Sequence, residues 1–154
     1  MRIFISLLIA LVFSSLHASA REPLVLRLTQ TIIISDEASA TVFCAHPATD
    51  EQSRITGLMF QKTLPEKAGM VFDFGEMQVV NMWMHNTILP LDMIFFDDAG
   101  KVVNIAMNTK PFSLDIISSE KPSKFVLEVN AGVAEKFGLN VGDQVTFGDN
   151  DCKL

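Results

Sequence analysis

Apolar and polar positions alternate along most of the chain beyond residue 20, the two-residue period of strands with one buried face. Leu24, Leu26 and Leu28 would share a face of a first strand, and Thr41 to Ala45 reads as a second. The period then changes. Thr49-x-x-Gln52 has the form of a capping box. Ile55, Leu58 and Met59 follow at the spacing of one helical face, so a short helix is predicted, weakened by Gly57 near its end. Strands return at Gly69 to Phe74 and Val79 to His85. Leu91 to Phe96 is apolar at both parities, which predicts an internal strand covered on both faces. Asp97 to Gly100 reads as a turn into Lys101 to Met107, making a hairpin. Phe125, Leu127 and Val129 mark another strand. A short helix follows, with Asn130 as its expected N-cap, Val133 and Phe137 four apart and Gly138 at its stop, before a final strand through Val145 and Phe147. Ser35 to Ser39 and Gly148 to Leu154 carry no clear pattern. The sum predicts a β-dominated α+β domain, a mainly antiparallel β-barrel or sandwich with two short helices.

The first twenty residues follow a different rule. Met1-Arg2 precedes the apolar run Ile3 to Phe13, and Ala18-Ser19-Ala20 ends the segment in the small-x-small form of a signal-peptidase site. The run is shorter than the roughly 20 residues a membrane span needs, and Arg21 rather than cysteine follows the cleavage point, so no anchor is expected. Residues 1–20 therefore read as a signal peptide, 21–40 as a leading strand segment, 41–148 as one domain and 149–154 as a tail. A periplasmic or secreted protein is expected. The net charge of −6 argues against a nucleic-acid partner and against anionic lipid. Export changes the reading of Cys44 and Cys152, because oxidising compartments permit a bridge between them. A buried Cys44 with a free tail thiol stands equally open.

Several short motifs occur in order: Arg54-x-x-Gly57-Leu58-Met59, Leu64-Pro65, Gly69-Met70-x-Phe72-x-Phe74, Trp83-Met84-x-Asn86-Thr87, Pro90-Leu91-Asp92 and Val126-Leu127-Glu128. From about Thr41 to Phe147 the chain resembles the domain of unknown function family 192, which includes many exported bacterial proteins. It departs from that pattern at Met82, where an aromatic is usual, and at His85 and Gln61, where basic residues are common. The resemblance implies a fold class and carries no agreed activity.

The segment from Val79 to Asp92 holds the densest polar chemistry. On a regular strand Val80, Met82 and Met84 face the core, while Val79, Asn81, Trp83 and His85 face away. Asn86, Thr87 and Asp92 gather around Pro90, with Arg54 as the expected partner of Asp92. Such residues often serve turns and caps, yet loops on a rigid sheet are also where binding residues concentrate. Arg54, Trp83, Asn86, Thr87 and Asp92 are therefore the candidate small-ligand site. Two other roles are open: a hydrolase or lyase using Asp92 with Arg54, and a structural accessory protein of the envelope. Met82, Met84 and His85, with His46, are donor types that Cu(I) accepts, but the methionines alternate away from His85 and read as core filler. No metal or cofactor is assigned. GxSxG, HExxH and phosphate-binding glycine loops do not occur.

Overall fold

The alternating pattern resolves into one curled sheet. The computed structural model describes residues 23–149 and Cys152, so residues 1–20, the segment expected to be a signal peptide, lie outside the described residues. The strands are β1 (Gln30–Ser35), β2 (Ala40–Ala48), β3 (Ala68–Met82), β4 (Leu91–Phe96), β5 (Val102–Ala106), β6 (Ile117–Asn130) and β7 (Gln144–Phe147), with helices α1 (Glu51–Thr56) and α2 (Val133–Lys136). The sheet order is β5-β4-β6-β3-β2-β1-β7. Every pairing is antiparallel except β2 with β3. A parallel pair needs a crossover, and α1 lies in it.

The two ends of the sheet approach one another, giving a half-barrel. Lys101 bridges to Gln144, and Val145 N donates to Gly100 O at 2.7 Å. Gly100 has φ +82°, and a Cβ there would lie 2.1 Å from Val145 O. The seam requires glycine.

Side-chain parity divides the core between the faces. Ile94, Phe96, Leu127 and Val129 join Ile32, Ile34 and Phe43 on one face, with Val133 and Ala134 of α2 packed over them. Leu91, Met93, Phe95 and Val126 join Met70, Phe72 and Met84 on the other. β4 is buried at all six positions, as its two-sided apolar pattern requires.

Local departures from the sequence expectations have physical causes. Leu24, Leu26 and Leu28 do alternate in burial, but they lie against the second core cluster without forming a strand, and Gln61 Nε2 holds the segment by Leu24 O. The ladder begins with β1, whose last residue falls in the stretch Ser35 to Ser39 that shows no pattern. The capping box of α1 sits one residue later than Thr49-x-x-Gln52: Asp50 accepts from Ser53 N, and Ser53 Oγ accepts from Asp50 N. Ile55 is 54% exposed, because α1 ends at Thr56 and Gly57 redirects the chain before Leu58 and Met59 turn inward. Asn130 does not cap α2. Its amide donates to Leu64 O and Pro65 O, and the N-cap position is Gly132. Gly69 to Phe74 and Val79 to Met82 belong to one strand, interrupted by a register shift against β6 between Asp73 and Gln78. A disulfide joins Cys44 of β2 to Cys152, with Cα atoms 5.5 Å apart.

Candidate functional site

β3 stops at Met82, so Trp83 to Thr87 leave the sheet as a turn instead of continuing its alternation. Asn86 holds φ +55° and Phe60 φ +63°, and Phe60 N donates to Asn86 O at 3.0 Å. Two left-handed non-glycine residues thus clasp the turn to the loop after α1. Backbone strain of this kind persists only where the surroundings impose it.

Between these loops and α1 lies a cleft of about 570 Å³, lined by Gln52, Ile55, Thr56, Met59, Phe60, Trp83 and His85. A neighbouring hollow of about 240 Å³ shares Trp83 and Ile55 and adds Arg54, Phe74 and Met82. A recess of about 20 Å³ runs inward from the same walls, where Arg54, Trp83, His85 and Thr87 meet Glu128. That volume suits one water-sized group.

Trp83 is 50% exposed, and its indole lies 5.1 Å from the His85 ring, tilted by 39°. Asn86 Nδ2 is 3.3 Å from His85 Nδ1 and 4.0 Å from Met59 Sδ. Thr87 Oγ1 donates to His85 O at 3.3 Å. Asn86 thus braces the wall, whereas Trp83 and Thr87 line it. Arg54 Nη1 donates to Thr49 O and to Asp73 O, both at 3.0 Å, and its guanidinium lies 5.9 Å from the Phe74 ring centre.

The expected Arg54–Asp92 pair does not form. Asp92 is fully buried; its Oδ1 accepts from Asn108 N at 2.8 Å and its Oδ2 from Ala134 N at 2.9 Å. It pairs in register with Val129, whereas Met93 pairs with Glu128. Partners directly across a ladder share a face, so Asp92 points away from the cleft. It takes the N-capping role over α2 that Asn130 does not fill. Asp92→Asn should therefore cost about 1–3 kcal/mol, since an amide NH₂ would face a main-chain N–H. Urea melts of parent and variant measure this, and a loss below a few tenths would contradict the capping role.

Glu128, which stands in the motif Val126-Leu127-Glu128 but is not among the candidate site residues read from the sequence, lines this recess. It is 4% exposed, on the β6 face shared with Val126, between Met70 of β3 and Met93 of β4. Burial alone acts on its carboxyl and pushes the pKa up to about 8. The signal available in the sequence was an acid in phase with Val126 inside the apolar run Phe125 to Val129.

The methionines and His85 are divided between the core and the recess, where Met82 and His85 are both lining residues. Met84 is in the core, where its Sδ accepts from Thr109 Oγ1 at 3.2 Å, while Met82 lines the cleft wall. His46 Nδ1 accepts from Arg27 N at 2.9 Å. Among the described residues no three His, Cys, Asp or Glu side chains gather as a metal site would require.

Two crystal structures share this arrangement of strands. A protein of Sinorhizobium meliloti 1021, provisionally described as a transcription regulator, is 36% identical and superposes with a TM-score of 0.75 over 77% of this chain and 92% of its own. A protein of unknown function from Novosphingobium aromaticivorans DSM 12444 is 30% identical, with a TM-score of 0.75 over 82% of this chain and 94% of its own. No curated protein matches the chain. The model of the family DUF192, an uncharacterized ACR, matches residues 32–147. With three-quarters of its length inside that match, the chain belongs to the DUF192 family.

Proposed function

We propose that the protein is an exported domain that binds a small molecule in the cleft beside Trp83, with Glu128 as the polar group at its base. The observation that carries this reading is the Glu128 carboxyl, nearly sealed in an apolar face and destabilised there by burial. Burying such a group without a partner costs several kcal/mol as an order of magnitude, and the sheet needs none of its hydrogen bonds. A perturbed acid opening onto a concave, aromatic-walled cleft is the usual form of a ligand site.

Within this reading Trp83 and His85 form the flat wall, Arg54 and Thr87 supply polar contacts, and Asn86 holds the wall in place. Asp92 serves the scaffold. Asp92 lies on the other face of the sheet from Arg54 and the cleft, so binding is favoured over a hydrolase or lyase using Asp92 with Arg54. Export is supported by the segment Met1 to Ala20 and by the Cys44–Cys152 bridge, since disulfides persist in oxidising compartments. The net charge of −6 supports a partner other than nucleic acid.

One experiment addresses both parts. Protein recovered from the cell envelope should have the intact mass of a chain beginning at Arg21. Solvent extraction of that protein should release a small molecule that Trp83→Ala fails to retain. A full-length chain held in the inner membrane would refute export, and identical extracts from parent and variant would refute the site.

A further inference from the structure

Resting on the reading of the Trp83 cleft as a ligand site, we propose that its ligand is a small carboxylate with a flat apolar body. One carboxylate oxygen accepts a hydrogen bond from Glu128 acting as an acid, and the other meets the Arg54 guanidinium. The recess beside Glu128 is about 20 Å³, enough for one oxygen atom and too small for a ring. The outer cleft, about 570 Å³ and walled by Trp83, His85, Ile55 and Met59, takes the apolar body.

The polar groups decide the sign of the ligand's charge. Glu128 stays protonated at neutral pH and so offers an O–H donor. Arg54 uses Nη1 on Thr49 O and Asp73 O, and among the described residues its Nη2 and Nε have no hydrogen-bond partner. The other charged groups are accounted for. Glu51 lies exposed on the outer hollow, and the Asp73 carboxylate accepts from Gly75 N. His85 shares the wall, and Asp92 lies on the opposite face of the sheet. Glu128 has the uncharged Met70 and Met93 as its ladder neighbours. The recess therefore presents donors and a positive charge, which complement an acceptor anion and oppose an ammonium group. The proton remains on Glu128 throughout, and no bond is made or broken.

The test uses 3-phenylpropionate, with 3-phenylpropanamide and 3-phenylpropylamine as matched neutral and cationic probes. Trp83 is the sole tryptophan and the chain has no tyrosine, so indole emission reports the cleft alone. Titrations run from about pH 7 to about pH 9.5, largely above the range in which imidazoles ionise. The carboxylate should bind with steady affinity up to about pH 8 and then weaken about tenfold per pH unit as Glu128 ionises. Glu128→Gln keeps a donor and should bind with a flat profile. Tighter binding of the amine, or loss of carboxylate binding in Glu128→Gln, overturns the carboxylate assignment while leaving the cleft a ligand site. If none of the three probes alters Trp83 emission, both readings fall.

Discussion

Glu128→Gln should make the protein more stable, by about 3 kcal/mol at pH 7 and about 5 kcal/mol by pH 9. A glutamate in the unfolded chain ionises near 4.5, whereas burial holds the folded carboxyl at about 8. Between those values the folded state carries the extra proton. Stability therefore falls as pH rises through that window and levels off above it. Glutamine keeps the shape and removes the ionisation, so the difference between the proteins should vanish near pH 4 and grow with pH. Asp36 and Asp50 act in the opposite sense. Main-chain N–H groups of Ala38 and Ser39, and of Ser53, lower their pKa values, so their contribution is lost on acidification. Both are common to parent and variant and cancel in the difference. Urea melts at about pH 4, 7 and 9 read the effect, and a gap that does not change with pH would refute the buried acid. A protein that gains stability on losing a carboxyl from a cleft has a group the fold itself does not require.

Opening the disulfide should have an effect of similar size and opposite sign. The bridge from Cys44 to Cys152 spans 108 residues, and closing so long a loop limits the unfolded chain by about 4–5 kcal/mol. Its place in the fold adds a second consequence. Cys44 lies on β2, in register with Thr31 of β1, which itself pairs with the short β7. The bridge thus ties the chain beyond β7 back across the edge of the sheet. Reduction, or Cys44→Ala with Cys152→Ala, should lower the urea midpoint and steepen the slope, because the unfolded chain without the bridge is less compact. The seam between Gly100 and Val145 should exchange its amide protons sooner than β4 and β6. An unchanged midpoint after complete reduction would refute the bridge.

Much of the sheet could be read from the chain because its periods report burial directly. The two-sided apolar run Leu91 to Phe96, the segment after the Asp97 to Gly100 turn and the alternation Phe125, Leu127 and Val129 each fall in a strand, and the first is covered on both faces as its pattern predicts. Burial and pairing are separate properties, however. Leu24, Leu26 and Leu28 alternate because they lie across a core face, and no local signal distinguishes that from a hydrogen-bonded strand.

The polar site shows the same division more sharply. Residues near Trp83 and Thr87 could be placed together from the sequence because they occupy one turn, and the structure puts both on the wall of one recess. Asp92 and Glu128 could not be sorted in this way. Each is an acid in an apolar strand, and each would be costly to bury alone. Register decides between them: Asp92 stands opposite Val129 and meets the main-chain N–H of Ala134, while Glu128 stands opposite Met93 and faces Arg54 and Trp83 across the recess. A shift of one residue would exchange their faces. Strand register comes from contacts far apart in the chain, so local composition can identify a buried acid but only the assembled sheet assigns it to the scaffold or to the cleft.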